Sequence, residues 1–199
     1  YLASGYTVGR DTLAKIQNYI SASAIAPKQG EGTLVEGDLA ELLRSHGMKG
    51  TVHLNSGKLG LRHGDEVFVS KEEIAKVYAG HEVACHGVEH RNLPTITRQQ
   101  VILEIQEDRK ALEAITGQPV QGMSYAFGNY NEEVMDIART LGIKYSRTVQ
   151  ETKNFFPPSD FLAWHPSCHH NSGLLELGDS FINIAGFYEL PIMYVWGHS

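Results

Sequence analysis

The sequence predicts an α/β protein built from repeated βα units, packed either as an open parallel sheet or as a barrel. Three observations predict it. Short apolar runs alternate with segments whose apolar residues recur at helical spacing. The links between them are short, and many of the helical segments run into a glycine. The 199 residues fit one domain, taken as 1–199, and a chain of this size hides roughly 70% of its unfolded surface.

The elements follow in order. Residues 12–20 carry Leu13, Ile16, Tyr19 and Ile20 at helical spacing, and residues 22–26 read as a strand leading into a glycine-rich loop. Leu39, Leu42, Leu43 and His46 predict a helix from about residue 36, with Asp38 as its cap and Gly47 as its stop. Residues 50–54 read as a strand, closed by Asn55-Ser-Gly57, where the Asn55 amide has a local turn-closing task. Ser70 with Glu73 makes a capping box for a helix that ends by Gly80. Val83, Ala84 and Cys85 form the next strand. A long helix spans about 98–115, with Val101, Ile105, Leu112 and Ile115 on one stripe, and Thr116-Gly117 ends it. Strands follow at 120–127 and 143–145, separated by a helix from the Asn131 cap to about Leu141. The remainder reads as a strand at 162–165, a weak helix at 174–181 broken by Gly178, and a last apolar strand at 190–196.

Charge and composition narrow the function. The formal net charge is −6, from 17 basic and 23 acidic residues, and no Lys/Arg cluster exists to grip a nucleic-acid backbone. No stretch approaches the ~20 apolar residues of a transmembrane helix. No signal peptide is evident, and the chain opens at Tyr1 rather than methionine. Cytoplasmic and secreted or cell-envelope locations both stay open. Cys85 and Cys168 are too few for a disulfide scaffold; Cys85 reads as a small buried strand residue.

The chemistry concentrates in Gly80-His-Glu-Val-Ala-Cys-His-Gly-Val-Glu-His90. A strand runs straight into His86, and His90 follows four positions later. Strand ends are where α/β folds place their sites, and a pair of imidazoles there suits zinc or a similar divalent ion. Hydrogen-bonded histidines near a surface turn are the competing reading.

Four segments together resemble the polysaccharide deacetylases, the NodB-like carbohydrate esterases. His86-Gly-Val-Glu-His90 is similar to the family's paired metal-ligand histidines, and Gly122-Met-Ser-Tyr-Ala-Phe-Gly128 to its groove-shaping loop. Gly50-Thr-Val-His-Leu-Asn-Ser-Gly57 resembles the strand after the first catalytic motif, and Trp196-Gly-His198 the last motif. The resemblance covers about residues 34–198. It implies a distorted, incomplete (β/α) barrel. It also implies a divalent metal, usually zinc, held by one carboxylate and two histidines, here Glu31, His86 and His90, with His198 as general acid. Tyr125, Trp164, His169 and His170 become candidates for substrate contact, His169 and His170 also for metal. The family's Asp-Asp-Gly triplet corresponds here to Gly30-Glu31-Gly32, so the base position has no side chain. The arginine that often orients that base is replaced by Met123.

The implied activity is metal-dependent removal of acetyl groups from an N-acetylated polysaccharide or oligosaccharide. A non-catalytic carbohydrate-binding relative with a degraded first motif, and an O-acetyl esterase, are the alternatives. Losing a positioned base typically costs 10²–10⁴-fold.

Overall fold

The computed structural model describes residues 14–15, 32–63, 66–184 and 190–197. The helix expected at 12–20 is helical at 14–15, and its remainder, with the strand expected at 22–26, lies outside the described residues.

A parallel sheet with helices on it forms the frame, as the alternation predicts. Strands β1 (Thr51–Leu54), β4 (Glu82–Cys85), β5 (Gly122–Ser124) and β6 (Tyr145–Arg147) stand in the order β1-β4-β5-β6, all parallel. The register brings Leu54 beside Cys85, Cys85 beside Met123, and Ser124 beside Arg147. A parallel bridge from Arg147 to Trp164 extends the curve. A separate parallel pair, β7 (Cys168–His169) and β8 (Val195–Trp196), stands apart from that sheet. This is the incomplete barrel. A short antiparallel pair, β2 (Arg62–His63) and β3 (Glu66–Val67), adds a hairpin that the sequence did not announce.

Helices α1 (Gly32–Ser45), α2 (Lys71–Val77), α3 (Arg98–Thr116), α4 (Glu132–Thr140) and α5 (Leu174–Ile184) complete the set. Their ends are set by local chemistry. The Ser70 and Glu73 side chains satisfy each other's backbone at α2, and Asn131 accepts from the Val134 amide at 2.9 Å at α4. Thr97 does the same for α3 with Gln100, and Gly117, at φ 66, ends that helix by donating its N–H to Glu113 O.

Several expectations change. The helix expected from about residue 36 begins at Gly32, so position 38 lies inside α1 and not at its start. The strand expected at 120–127 is confined to Gly122–Ser124, because Ala126–Gly128 turns as a 3₁₀ helix with Phe127 at φ 60. The strand expected at 162–165 is a 3₁₀ turn, Phe161–Ala163, plus the Trp164 bridge. Gly178 does not break α5, which buries it. A helix glycine costs only ~1 kcal/mol relative to alanine, and burying Leu174 offsets that.

The main core gathers Ile74, Ile105, Leu112, Met123, Val134 and Ile137 between sheet and helices, each almost wholly buried. A second cluster of Phe155, Cys168, Leu174 and Met193 packs under α5. Both cysteines are free and buried, and burial raises both thiols, Cys168 up to about 11. Neither is a reactive thiol.

Candidate metal centre

Strand β4 ends at Cys85, and the chain enters a short loop carrying both histidines of the pair. The loop is bent at two left-handed residues, Gly87 (φ 80) and His90 (φ 58). A non-glycine residue there is strained and persists only where its surroundings hold it. The bend turns the two imidazoles onto each other, with ring centroids 4.5 Å apart and planes at 72°.

His86 Nδ1 lies 3.0 Å from the Ser124 carbonyl oxygen and 2.7 Å from the Ser124 hydroxyl. A proton on Nδ1 serves the carbonyl, which only accepts, and that tautomer puts the lone pair on Nε2. An acceptor fixing the far nitrogen is the usual support of a metal-ligating histidine. The His90 ring meets Phe127 edge-on at 4.7 Å. Phe127 is 61% exposed, so an aromatic face borders the histidine pair at the surface.

The loop backbone is held from three directions. Asp108 of α3 accepts from Ser56 N (2.8 Å) on Oδ1 and from His86 N (2.9 Å) and Gly87 N (3.0 Å) on Oδ2. The His86 N–H is shared with Leu54 O at 3.0 Å. Glu104, also on α3, accepts from Glu89 N at 3.0 Å and faces Arg91 Nε at 3.3 Å. From the other side, Asn55 Nδ2 donates to His86 O and Gly87 O, both at 2.7 Å. Asn55 therefore acts on the histidine loop, not within its own turn. Burial pushes the Asp108 carboxyl above its ordinary range, against the pull of the Ser56, His86 and Gly87 hydrogen bonds.

Behind the pair sits His53 of β1, its ring centroid 6.4 Å from that of His86. Its Nε2 is sealed from solvent with no hydrogen-bond partner. Burial, then the charge of Arg147, holds its pKa well below 6.5. Arg147, 6% exposed, donates to Thr148 O at 3.2 Å and lays its guanidinium 4.6 Å from the Trp196 ring centroid. Among the described residues it forms no ion pair.

Of the site residues expected from the sequence, the structure brings His86 and His90 together. Glu31, Gly30 and His198 lie outside the described residues. Among the described residues no group of three or more His, Cys, Asp or Glu side chains is placed to hold a metal. Two imidazoles are donors of a type that suits a divalent ion, short of a full ligand set. Tyr125 and Trp164 are corrected. The Tyr125 side chain is 1% exposed and donates its hydroxyl to Leu162 O at 2.7 Å, so the side chain belongs to the core and only its backbone is left for a substrate contact. Trp164, 5% exposed, packs edge-on with Tyr145, Phe161 and Tyr194 and has no open face for a sugar. His169 of β7 and His170 after it have ring centroids 4.1 Å apart with planes tilted at 34°, and His169 meets Trp196 edge-on.

Sequence reading missed Asp108, Glu104, His53, Arg147 and Phe127. The two acids had a visible signal: with Val101, Ile105 and Leu112 they share the buried stripe of α3, where a carboxylate needs a partner.

The paired histidines stand just past a strand end of a parallel sheet, where α/β folds build their sites. The polysaccharide deacetylase family profile matches residues 33–146, and the chain belongs to that family. YxkH of Bacillus subtilis (strain 168), named for the same family, is 28% identical over 114 residues, covering 57% of this chain and 39% of its own. Two solved structures share the fold. BC0361, a polysaccharide deacetylase from Bacillus cereus, superposes with a TM-score of 0.55 at 18% identity, over 83% of this chain and 60% of that one. The Streptococcus pyogenes deacetylase PplD, in complex with acetate, gives 0.52 at 20% identity, over 56% and 49%. The chain thus spans about two fifths of YxkH and about half of PplD. Among the described residues no helix is long and apolar enough to cross a membrane.

Proposed function

We propose that this chain is a metal-dependent hydrolase that removes acetyl groups from an N-acetylated polysaccharide or oligosaccharide. The observation that carries the reading is the convergence of His86 and His90 at 4.5 Å, with His86 Nδ1 held by Ser124. Two neutral imidazoles suit zinc, and Glu31 is the proposed carboxylate ligand. A bound zinc ion supplies Lewis acidity and lowers the pKa of its water from 15.7 to roughly 7. The chain's own residues do the rest. Ser124 keeps the His86 ring oriented, and the exposed Phe127 offers an apolar face beside the pair on which a sugar ring can lie. His198, as imidazolium, protonates the departing amine. His169 and His170 stay proposed as groove contacts.

The Gly30 position favours a second reading, a carbohydrate-binding relative without turnover, because the family's base aspartate is absent there. One experiment separates the two. Bound metal is quantified, and acetate release is followed from acetylated glycans and aryl acetates. The hydrolase reading expects one zinc per chain, with acetate release lost on chelation and in His90→Ala. Metal without release from any substrate supports the binding module. A chain that takes up no metal refutes the hydrolase reading and returns His86 and His90 to hydrogen-bonded loop histidines.

A further inference from the structure

We infer that Asp108 and Glu104, side by side on α3, are positioning residues that hold the 86–90 loop, and through it both imidazoles, in ligating geometry. The inference rests on the metal-binding reading of His86 and His90. Residues four apart lie on one face of a helix, so both carboxylates address the same loop.

Their burial is the first reason. Asp108 is 0% exposed and Glu104 6% exposed, on a stripe otherwise occupied by Val101, Ile105 and Leu112. Burying a carboxylate is costly, and apolar residues of similar volume would pack the helix as well or better. The helix itself uses neither group. Their partners lie outside α3: the amides of Ser56, His86, Gly87 and Glu89, the Ser56 hydroxyl and Cys85 thiol at Asp108, and the Arg91 guanidinium at Glu104.

The loop's own conformation is the second reason. Two left-handed residues, one of them a histidine, make it a segment that relaxes when released. Its peptide groups are instead pinned on both faces. Asp108 and Glu104 take the N–H groups of residues 86, 87 and 89. Asn55 and the Gly57 N–H take the carbonyls of residues 86, 87 and 88. Neither acid needs to touch a ligand nitrogen to set where the rings point.

The test uses the full chain with Asp108→Asn and Glu104→Met. Asp108→Asn keeps the shape, but Asp108 accepts on both oxygens and the new NH₂ cannot accept from a backbone N–H; Glu104→Met keeps the length and removes the acceptor of the Glu89 N–H, so each loses part of the clamp. Ile105→Val, between them on the same helix and directed at the core, is the control for general loosening. Three quantities are read: zinc affinity by competition with a chromophoric chelator, the visible spectrum of the cobalt-substituted protein, and amide hydrogen exchange at Gly87 and Glu89 without metal. The expected result is a 10–100-fold loss of zinc affinity in Asp108→Asn, a changed cobalt spectrum, and lost protection at Gly87, with Glu104→Met acting on Glu89. Ile105→Val lowers the melting temperature but keeps affinity within about two-fold of wild type. Wild-type affinity and protection in both acid variants overturns the inference. So does an affinity loss that Ile105→Val reproduces at equal thermal destabilisation. If Asp108→Asn does not fold, Glu104→Met decides alone. If wild type binds no metal, the functional reading fails, and the metal-free exchange still decides whether the two acids hold the loop.

Discussion

Gly87→Ala probes the histidine loop with an internal control. Gly87 (φ 80) and Gly80 (φ 83) share the left-handed backbone, and both lie close to β4. An alanine at either position incurs the left-handed penalty, ~1–2 kcal/mol, offset by ~0.4–1 kcal/mol of reduced unfolded-state entropy. The net loss at Gly80, where a Cβ meets nothing within 4 Å, is therefore ~1 kcal/mol. At Gly87 the added Cβ falls 2.9 Å from Glu104 Oε2. That oxygen also accepts the Glu89 N–H, so relieving the overlap breaks a charge-assisted hydrogen bond worth ~1.5–3 kcal/mol. Gly87→Ala should lie ~1–3 kcal/mol below Gly80→Ala in urea unfolding, which is several degrees of melting temperature. Zinc affinity should fall only in Gly87→Ala. Equal stability of the two variants, or a more stable Gly87→Ala, refutes the claim that Glu104 closes over the loop.

Three further outcomes follow from single contacts. His53 is neutral in the folded chain with a depressed pKa, whereas the unfolded chain protonates it near 6.5. Stability is thus fully present above pH ~6.5 and lost as the pH falls toward the folded pKa. Wild type should lose on the order of 1 kcal/mol more than His53→Gln between pH 7.5 and 5.5 in chemical denaturation. A common slope in both proteins would remove His53 as the cause, and His81, also depressed by burial, supplies the shared background. Tyr125→Phe should cost ~1 kcal/mol through the lost bond to Leu162 O and leave KM for any acetylated substrate unchanged. Thr97→Ala removes the α3 cap and should cost ~0.5–2 kcal/mol in thermal unfolding, with metal binding intact.

What the sequence disclosed divides along the range of the interactions. Ser70 with Glu73, Asn131 and Gly117 are legible because a cap involves residues within a turn of one another. His86 and His90 are legible because a strand delivers them and imidazole is conspicuous. Tyr125 and Trp164 mislead because an aromatic residue in a groove-like motif looks the same whether it faces solvent or core; the tight turn at Ala126–Gly128 puts Phe127 outside and leaves Tyr125 inside. Asn55 misleads for a related reason. Its residue type suits a turn, but β1 and β4 run side by side in parallel, and the register places its amide against a loop that follows the neighbouring strand.

Helix α3 links these observations physically. Its buried stripe alternates in task along the chain: Val101, Ile105 and Leu112 fix the helix on the sheet, while Glu104 and Asp108 reach the loop at the end of β4. Close-packed apolar contacts tolerate little movement, so the carboxylates they carry are stiffly placed, and so are the amides those carboxylates accept. On the proposed metal-binding reading, an ion at His86 and His90 would meet a loop already bent, and little of its binding energy would be diverted to ordering that loop. The arrangement has a directional consequence. A change that tilts α3 moves both carboxylates together and must disturb the histidine pair, whereas a change in α4 or α5, from which no hydrogen bond to the loop is seen among the described residues, can lower stability while leaving the pair's geometry intact.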